Sequence, residues 1–227
     1  MFPLYEDNHI IIVQKEPGEI VQGDKTGDTP LSETVAAYLK EKYAKPGNVF
    51  VGVVHRLDRP VGGVVIFAKT SKALARLNEM LREHKISKTY RAIVEGQPKE
   101  NEGLLKDYLT FSQKNNKTYI TDRNNPEAKE AQLRYRVLAR GDKYSLVEIE
   151  LLTGRKHQIR AQLSNMGHPI KGDLKYGARR SNSDGSISLR AQNVSFIHPV
   201  SKLPVDISAL PEKSDPVWQK LEALIEQ

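Results

Sequence analysis

One carboxylate lies among basic residues in the stretch HRLDRPVGG, which runs from His55 to Gly63. Asp58 stands between Arg56 and Arg59, and apolar runs precede and follow the stretch. Apolar runs bounded by Pro and Gly are typical of buried strands, which seldom end in several polar residues unless a site is there. Asp58 is therefore a candidate nucleophile or base, although an isolated Asp after a strand is more often a turn former or a helix cap.

Two further clusters could contribute to a site. Tyr90 lies within the apolar strand of SKTYRAIVEG, where an aromatic residue is more often part of the core. In LLTGRKHQIRAQLSNMGHPIKGD, Arg160 directly follows Ile159 on a predicted helix, so a cation must come close to the buried helix face. A buried guanidinium needs a carboxylate, and Asp58 is the candidate. The alternative is a solvated helix face made of Arg155, Lys156, His157 and Arg160.

Composition limits the remaining possibilities. The chain has no cysteine, which excludes disulfides, thiolate zinc sites and cysteine nucleophiles. His157 and His168 are separated by a Gly and lack a carboxylate at ligand spacing, so we predict no metal site. The net charge of +7 makes a polyanionic partner a natural expectation. No signal peptide or long apolar segment is visible, so we expect a cytoplasmic protein with no membrane contact.

The first half of the chain alternates strands with helices. We predict strands at His9–Val13, Val49–Val54 and Thr89–Glu95, and another in the apolar run after Gly63. A helix that starts at Pro30 would bury three residues at spacings of four, namely Leu31, Val35 and Leu39. Ser71 is predicted to cap a second helix.

The second half is richer in strands. The predicted strands are Lys117–Thr121, Gln132–Leu138, Leu146–Leu152 and Asn193–Ile197. The predicted helices are Arg155–Met166 and Pro216–Gln227, the latter anchored by Trp218, Leu221 and Ile225. Without an internal repeat or a low-complexity linker, these elements predict one mixed α+β domain over residues 1–227.

The three clusters together resemble the RluA-type pseudouridine synthases, which isomerise uridine in ribosomal and transfer RNA. The resemblance rests on HRLD with a Gly-containing turn, a Lys-x-Tyr strand, TGRxHQIR and GHPIxGDxxYG, in that order. It extends from YEDNHIIIVQKEPG near the start to SFIHPVSKLP near the end. It implies the pseudouridine synthase catalytic fold, which is a mixed, mainly antiparallel sheet flanked by helices with a central active-site cleft.

The resemblance implies a role for each motif residue. Asp58 matches the catalytic aspartate, Tyr90 the active-site tyrosine, and Arg160 the basic residue that pairs with the aspartate. Arg56 matches the arginine that fills the place of the flipped base. The further substrate-binding residues predicted in these motifs are His55, Arg155, His157 and Gln158.

The implied reaction cleaves the N1–C1′ bond of uridine, turns the base and joins C5 to C1′, without a metal or another cofactor. Asp58 would either attack as a nucleophile or remove a proton from the sugar, and both routes stay open. Arg160 would keep Asp58 ionised, and Tyr90 would stack on the base and help remove the C5 proton. The uridine must leave the RNA stack, and Arg56 would fill the gap.

The chain departs from the family pattern at two places. Val61 and Gly62 stand where the family usually has Thr and Ser, and Arg190 stands where it usually has His. Neither change affects Asp58, Tyr90 or Arg160, so we expect activity. The family's frequent N-terminal RNA-binding module has no room before a pattern that begins within the first ten residues. We therefore expect the catalytic domain to make its own RNA contacts.

Two other classes of protein remain as alternatives. An RNA-binding relative without activity would have lost the acid, the tyrosine or the arginine. A carboxylate glycosidase would need a second acid within about 5 to 10 Å of Asp58, for which Asp173 is the candidate. The prediction is an RNA pseudouridine synthase that acts as a monomer on ribosomal RNA, transfer RNA or both.

Overall fold

The computed structural model describes residues 3–210 and 215–225. These residues form two compact units. The first comprises the described residues of Met1–Lys88 and Ala191–Leu210, and the second those of Thr89–Arg190 and Pro211–Gln227. The α+β class is confirmed, because both units combine helices with mainly antiparallel strand pairs. The single domain over 1–227 stays a prediction.

The elements are numbered in chain order. The strands are β1 (Tyr5–Glu6), β2 (Ile10–Lys15), β3 (Gly52–Val53), β4 (Gly62–Ala68), β5 (Ile86–Glu95), β6 (Glu102–Ser112), β7 (Lys117–Thr121), β8 (Lys129–Arg140), β9 (Tyr144–Leu151), β10 (Leu189–Ile197) and β11 (Pro204–Ser208). The helices are α1 (Leu31–Lys42), α2 (Ser71–Arg82), α3 (Gln158–Asn165) and α4 (Pro216–Ala223). A short 3-10 helix covers Leu174–Tyr176. Within the described ranges, no helix is long and apolar enough to cross a membrane.

The first unit is organised around β2 and β4. Every residue of β4 is buried, which is typical of a strand covered on both faces. β4 pairs antiparallel with β2, and Gly63 lies opposite Lys15 in that pair. The predicted buried face of α1 is confirmed, since Leu31, Val35 and Leu39 are all buried. α2 is capped one residue before the predicted position, because the Thr70 side chain accepts a hydrogen bond from Ala73 N at 3.1 Å.

The second unit contains strands in the order β5-β9-β8-β6-β7, and each neighbouring pair is antiparallel. The sequence pattern does not predict β6, since charged residues interrupt its apolar residues. Hydrogen bonds to β8 on one side and β7 on the other hold this strand. Trp218 and Leu221 of α4 are buried with Ile93 and Leu146. Because α4 ends at Ala223, Ile225 is 39% exposed, and residues 226–227 lie outside the described ranges.

Two further predicted boundaries, at β3 and at the start of α3, are wrong. Of the strand expected at Val49–Val54, Gly52 and Val53 alone pair with β4. The helix expected from Arg155 begins at Gln158, because His157 has a φ of 51°, in the left-handed region that a right-handed helix cannot include. The Gln158 side chain accepts a hydrogen bond from Arg155 N at 2.9 Å, which holds the preceding residues in a turn.

Candidate active site

Asp58 lies on the turn that joins β3 to β4. Its main-chain carbonyl accepts a hydrogen bond from Val61 N at 3.0 Å, which closes the turn, and the residue is partly exposed. Gly63 follows with a φ of +118°, and a Cβ there would lie 2.3 Å from the Ala191 carbonyl oxygen. The departure at Val61 and Gly62 therefore leaves in place the glycine that this backbone path requires.

Lys15 fixes this turn from within the protein. The side chain is 0% exposed, and its Nζ donates hydrogen bonds to the main-chain oxygens of Glu16 at 3.1 Å, Arg59 at 3.1 Å and Val61 at 2.6 Å. Burial lowers the pKa of Lys15 to about 8, and the negative charges of Glu19 and Asp58 oppose this shift. Lys15 is a positioning residue that the sequence analysis missed, since a lysine that closes a strand is normally exposed.

The two arginines beside Asp58 differ in their surroundings. Arg59 Nη1 lies 2.7 Å from Asp28 Oδ2, and its Nη2 donates to Thr26 Oγ1 at 2.8 Å, so this side chain is tied to a neighbouring loop. Arg56 is exposed, and within residues 3–210 and 215–225 its side chain makes no hydrogen bond or ion pair. Arg56 is thus the arginine of this pair whose charge remains available to a ligand.

His55 holds the start of the motif against β4. Its Nε2 accepts a hydrogen bond from Ile66 N at 3.2 Å, so this nitrogen carries no proton. Burial, together with the positive charge of Lys88, lowers the pKa of His55 to about 3. The predicted contact of His55 with substrate stays a prediction, and the contact that the structure describes is with the main chain of β4.

Arg160 is buried on α3 and held by a carboxylate. Its Nε lies 2.7 Å from Asp173 Oδ2 and its Nη2 lies 2.8 Å from Asp173 Oδ1, a two-pronged ion pair with 5% and 1% of the two residues exposed. The alternative of a solvated face is wrong for Arg160, while Arg155 and Lys156 are exposed. The predicted pairing of Arg160 with Asp58 stays a prediction. Asp173 is already occupied as an ion-pair partner, which argues against its use as the second acid of a glycosidase.

Tyr176 supports the same arginine from another side. The Arg160 Cζ lies 4.8 Å from the centre of the Tyr176 ring. The Tyr176 hydroxyl accepts a hydrogen bond from Thr118 N at 2.8 Å and lies 2.9 Å from His157 Nδ1. Burial raises the pKa of this hydroxyl. Tyr176 thereby joins β7, the start of α3 and Arg160, a role that the quoted GDxxYG motif contained but that the sequence analysis did not assign.

Gln158 organises the turn that precedes α3. It is 2% exposed, its Oε1 accepts from Thr153 Oγ1 at 2.8 Å, and its Nε2 donates to the Gln132 carbonyl oxygen at 3.0 Å. His157 is also buried. The predicted substrate contacts of Gln158 and His157 stay predictions, and Arg155 is the exposed member of this group.

Tyr90 and Arg190 both lie inside the second unit. Tyr90 is 7% exposed on β5, where it pairs with Ile149 of β9. Arg190, at the position where the resemblance led us to expect a histidine, is 5% exposed, and its Cζ lies 5.1 Å from the centre of the Trp218 ring. Its Nη2 lies 3.5 Å from Glu222 Oε1, so α4 supplies partners for the substituted side chain. In the part of the chain that the structure describes, no group of three or more His, Asp or Glu side chains is placed to hold a metal ion.

Comparison with known proteins identifies the class. Residues 9–165 match the model of a family described as RNA pseudouridylate synthase, a range that contains Asp58, Tyr90 and Arg160. The chain therefore belongs to the RNA pseudouridylate synthase family, whose members are isomerases that convert uridine to pseudouridine in RNA.

Individual relatives act on two kinds of RNA, according to their names. Ribosomal large subunit pseudouridine synthase C of Vibrio vulnificus is 30% identical over 229 residues, which cover 98% of this chain and 68% of the relative. The corresponding protein of Buchnera aphidicola is 33% identical, with 91% of this chain and 65% of the relative covered. A tRNA pseudouridine synthase C of Pectobacterium carotovorum is 31% identical, with coverages of 95% and 60%. The chain thus spans about two thirds of the length of these relatives.

Solved structures confirm the predicted fold. The structure titled Human RNA Pseudouridylate Synthase Domain Containing 4 matches with a TM-score of 0.78 at 21% identity, covering 99% of this chain and 92% of that one. The structure titled Human RNA Pseudouridylate Synthase Domain Containing 1 matches with a TM-score of 0.68 at 21% identity, with coverages of 96% and 93%.

Proposed function

We propose that this protein converts specific uridines of ribosomal RNA, transfer RNA or both to pseudouridine, with Asp58 as the catalytic residue. The observation that carries the proposal is the family match over residues 9–165, which includes the whole HRLD and HQIR motifs. The construction of the turn supports it, because Lys15 holds the two carbonyls on either side of Pro60 and so fixes the backbone next to Asp58.

In this proposal Asp58 attacks as a nucleophile or removes a proton from the ribose. Arg160 provides the positive charge that keeps Asp58 ionised. Asp173 and Tyr176 restrain the guanidinium beforehand, so a second carboxylate can use it without ordering a flexible side chain. Tyr90 stacks on the base and assists removal of the C5 proton.

The remaining roles follow from exposure. Arg56 fills the space left by the extruded uridine, which suits an exposed arginine without a protein partner among the described residues. Arg155 contacts RNA directly. His55, His157 and Gln158 contribute to substrate binding through the segments that they hold in place. We further propose that the protein acts in the cytoplasm as a monomer, without a metal or cofactor.

Replacement of the catalytic acid tests the proposal. Asp58→Asn keeps the shape of the side chain but cannot act as a nucleophile or a base, so we expect isomerisation to be abolished while RNA affinity stays within several-fold. Tritium release from RNA labelled at C5 of uridine measures turnover. Asp142→Asn, at an exposed aspartate of the second unit, is the matched control and should turn over like the parent. Substantial tritium release by Asp58→Asn would refute the assignment.

A further inference from the structure

A groove of about 550 Å³ lies in the second unit, between the β6–β7 hairpin and the segment Gly154–Lys156 before α3. We call it the hairpin groove. Its volume falls within the range of about 300 to 1000 Å³ that is usual for small-ligand pockets. Apart from Arg155, the residues that line it have no part in the proposed reaction.

The floor of the hairpin groove is apolar and aromatic. Leu109 and Phe111 are two residues apart on β6 and therefore face the same side of the sheet. Thr118 of β7 lies directly opposite Phe111, which brings it to that same face. Leu109 is 3% exposed and Thr118 is 2% exposed, whereas Phe111 is only partly buried. The Lys156 Nζ lies 4.0 Å from the centre of the Phe111 ring, and the His157 ring packs edge-on against it at 6.2 Å between ring centres. A base could therefore reach the face of the ring by displacing the ammonium of an exposed lysine, a contact that is weak at an exposed site.

The rim of the groove is basic. Lys129, Arg155 and Lys156 line it together with a single acid, Glu127. Arg155 Nε donates to the Glu130 carbonyl oxygen at 3.0 Å, and neither Nη of Arg155 has a protein partner within the described ranges. Over the same ranges the Lys129 side chain makes no ion pair. Two cations with unused donors therefore stand at the edge of an aromatic-lined groove.

We propose that the hairpin groove binds one nucleotide of the substrate RNA next to the target uridine, with its base against Phe111 in place of the Lys156 ammonium and its phosphate on Lys129 and Arg155. The inference rests on the proposed function, because that function makes RNA the substrate. Aromatic side chains accept any base as a stacking partner, and a guanidinium beside a lysine suits phosphate oxygens. The site would thus hold a flanking nucleotide without reading its identity.

The groove shares its supports with Arg160. Thr118 Oγ1 donates to the Lys156 carbonyl oxygen at 2.7 Å, and Thr118 N donates to the Tyr176 hydroxyl at 2.8 Å. Tyr176 in turn packs against the Arg160 guanidinium. A nucleotide in the groove would therefore be held at a fixed position relative to Arg160. The adjacent nucleotide of the RNA, the target uridine, would in turn be positioned relative to Arg160.

Binding of a short, fluorescein-labelled single-stranded RNA of mixed sequence, measured by anisotropy at several salt concentrations, tests the inference. Phe111→Leu keeps an apolar side chain for folding but removes the ring, and should weaken binding about five-fold or more with an unchanged salt slope. Lys129→Gln should flatten the slope of log affinity against log salt by about 0.7. Thermal unfolding of both variants verifies that they are folded.

Matched controls come from residues outside the groove. Tyr119→Leu removes an exposed ring from the adjacent position of β7, and Lys99→Gln removes an exposed lysine of the second unit, so both should bind RNA like the parent. If Phe111→Leu and Lys129→Gln bind RNA as these controls do, the hairpin groove is not an RNA site. Tritium release by the parent separates the two proposals. A parent that binds RNA through the groove but releases no tritium would refute the proposed function alone.

Discussion

The ion pair between Arg160 and Asp173 has a consequence for both stability and activity. Two charges that are almost completely buried stabilise each other only while both are present. The loss of either partner leaves an uncompensated charge inside the second unit. Arg160 therefore has a structural partner in addition to the catalytic one that we propose.

Two substitutions of Arg160 should show how much it contributes to stability through Asp173 and how much to turnover. Arg160→Ala removes the cation and should destabilise the protein by about 3 to 5 kcal/mol, with a larger loss of turnover than Arg160→Lys. Arg155→Ala, at an exposed arginine of the same motif, is the control and should unfold at nearly the parent temperature. Calorimetry and tritium release provide the two measurements. An unfolding temperature of Arg160→Ala equal to that of the parent would contradict the importance of the pair.

His55 should make the protein sensitive to acid. Its pKa of about 3 in the folded protein lies below its ordinary value of 6.5, so between these values the unfolded chain binds a proton that the folded chain does not. The corresponding stability is fully present above pH 6.5 and is lost as the pH falls towards 3. His55→Gln can still accept the hydrogen bond from Ile66 N but does not titrate, so its stability should decline less steeply over this range.

Thermal unfolding at a series of pH values measures the effect of His55→Gln. His84→Asn, at an exposed histidine with a positive φ that asparagine tolerates, serves as the control and should retain the slope of the parent. Equal slopes for His55→Gln and the parent would show that His55 does not govern the acid response.

At the residue scale, the sequence predicts that Arg160 needs a carboxylate partner, but it does not identify Asp173, the partner that the structure shows. The position of Arg160 after Ile159 is a local pattern, whereas its contact with Asp173 depends on the turns that follow α3. Lys15 was missed for the same kind of reason. Its hydrogen bonds to Arg59 and Val61 span 44 and 46 residues of sequence. The spacing of apolar residues within a strand cannot predict such distant contacts.

At the scale of elements, the spacing of apolar residues predicts the helices and strands that have a buried apolar face. α1 and the β4 region followed the expected pattern, because burial of apolar side chains determines both sequence and structure there. The sequence pattern does not predict β6, because charged residues interrupt the apolar residues of this strand, which pairs with β8 and with β7. The start of α3 was misplaced because the side chain of Gln158 stabilises a turn that competes with another helical turn.

Gly63 is the glycine at the start of β4 that the fold requires. An alanine there would have to adopt a φ of +118° and would bring its Cβ within 2.3 Å of the Ala191 carbonyl oxygen. Gly63→Ala should therefore lower the free energy of unfolding by more than about 1 kcal/mol. Gly23→Ala is the control, because Gly23 lacks a positive φ and a Cβ there would meet open space. Chemical denaturation provides the measurement, and equal midpoints for Gly63→Ala and the parent would contradict the requirement.

At the scale of the whole molecule, the net charge of +7 was the basis for expecting a polyanionic partner. Some exposed arginines are already paired with carboxylates of the protein, and others are not. Arg134 and Arg136 lie 3.2 and 2.8 Å from glutamates of β9, whereas Arg180 is exposed and without an ion pair within the described residues. The Arg179 side chain is 91% exposed, and its Nε is 3.8 Å from Glu95. Arg179 and Arg180 therefore offer positive charge to a ligand, whereas Arg134 and Arg136 of β8 are already paired with glutamates.

RNA binding should depend on salt accordingly. A footprint of about four to six phosphates predicts a slope of log affinity against log salt of about −3 to −4. Replacing Arg179 and Arg180 together by Ala should flatten this slope by about one unit and weaken binding to all RNA sequences alike. Replacing Arg134 and Arg136 by Ala is the matched control and should change the slope less. Filter-binding titrations measure both, and a parent slope near zero would refute phosphate capture by these surfaces.

Because the Lys15 ammonium is buried, the alignment of β2 with β4 determines the conformation of the turn that carries Asp58, the residue that we propose to be catalytic. Lys15 lies opposite Gly63 in the antiparallel pair of β2 with β4, and side chains on a strand alternate between its faces. A slip of one residue in that alignment would turn Lys15 to the opposite face and remove its ammonium from the carbonyls of Arg59 and Val61. An insertion or deletion of a single residue within β2 should therefore disturb the Asp58 turn as strongly as a substitution within the turn itself, although β2 carries none of the residues that we propose to react.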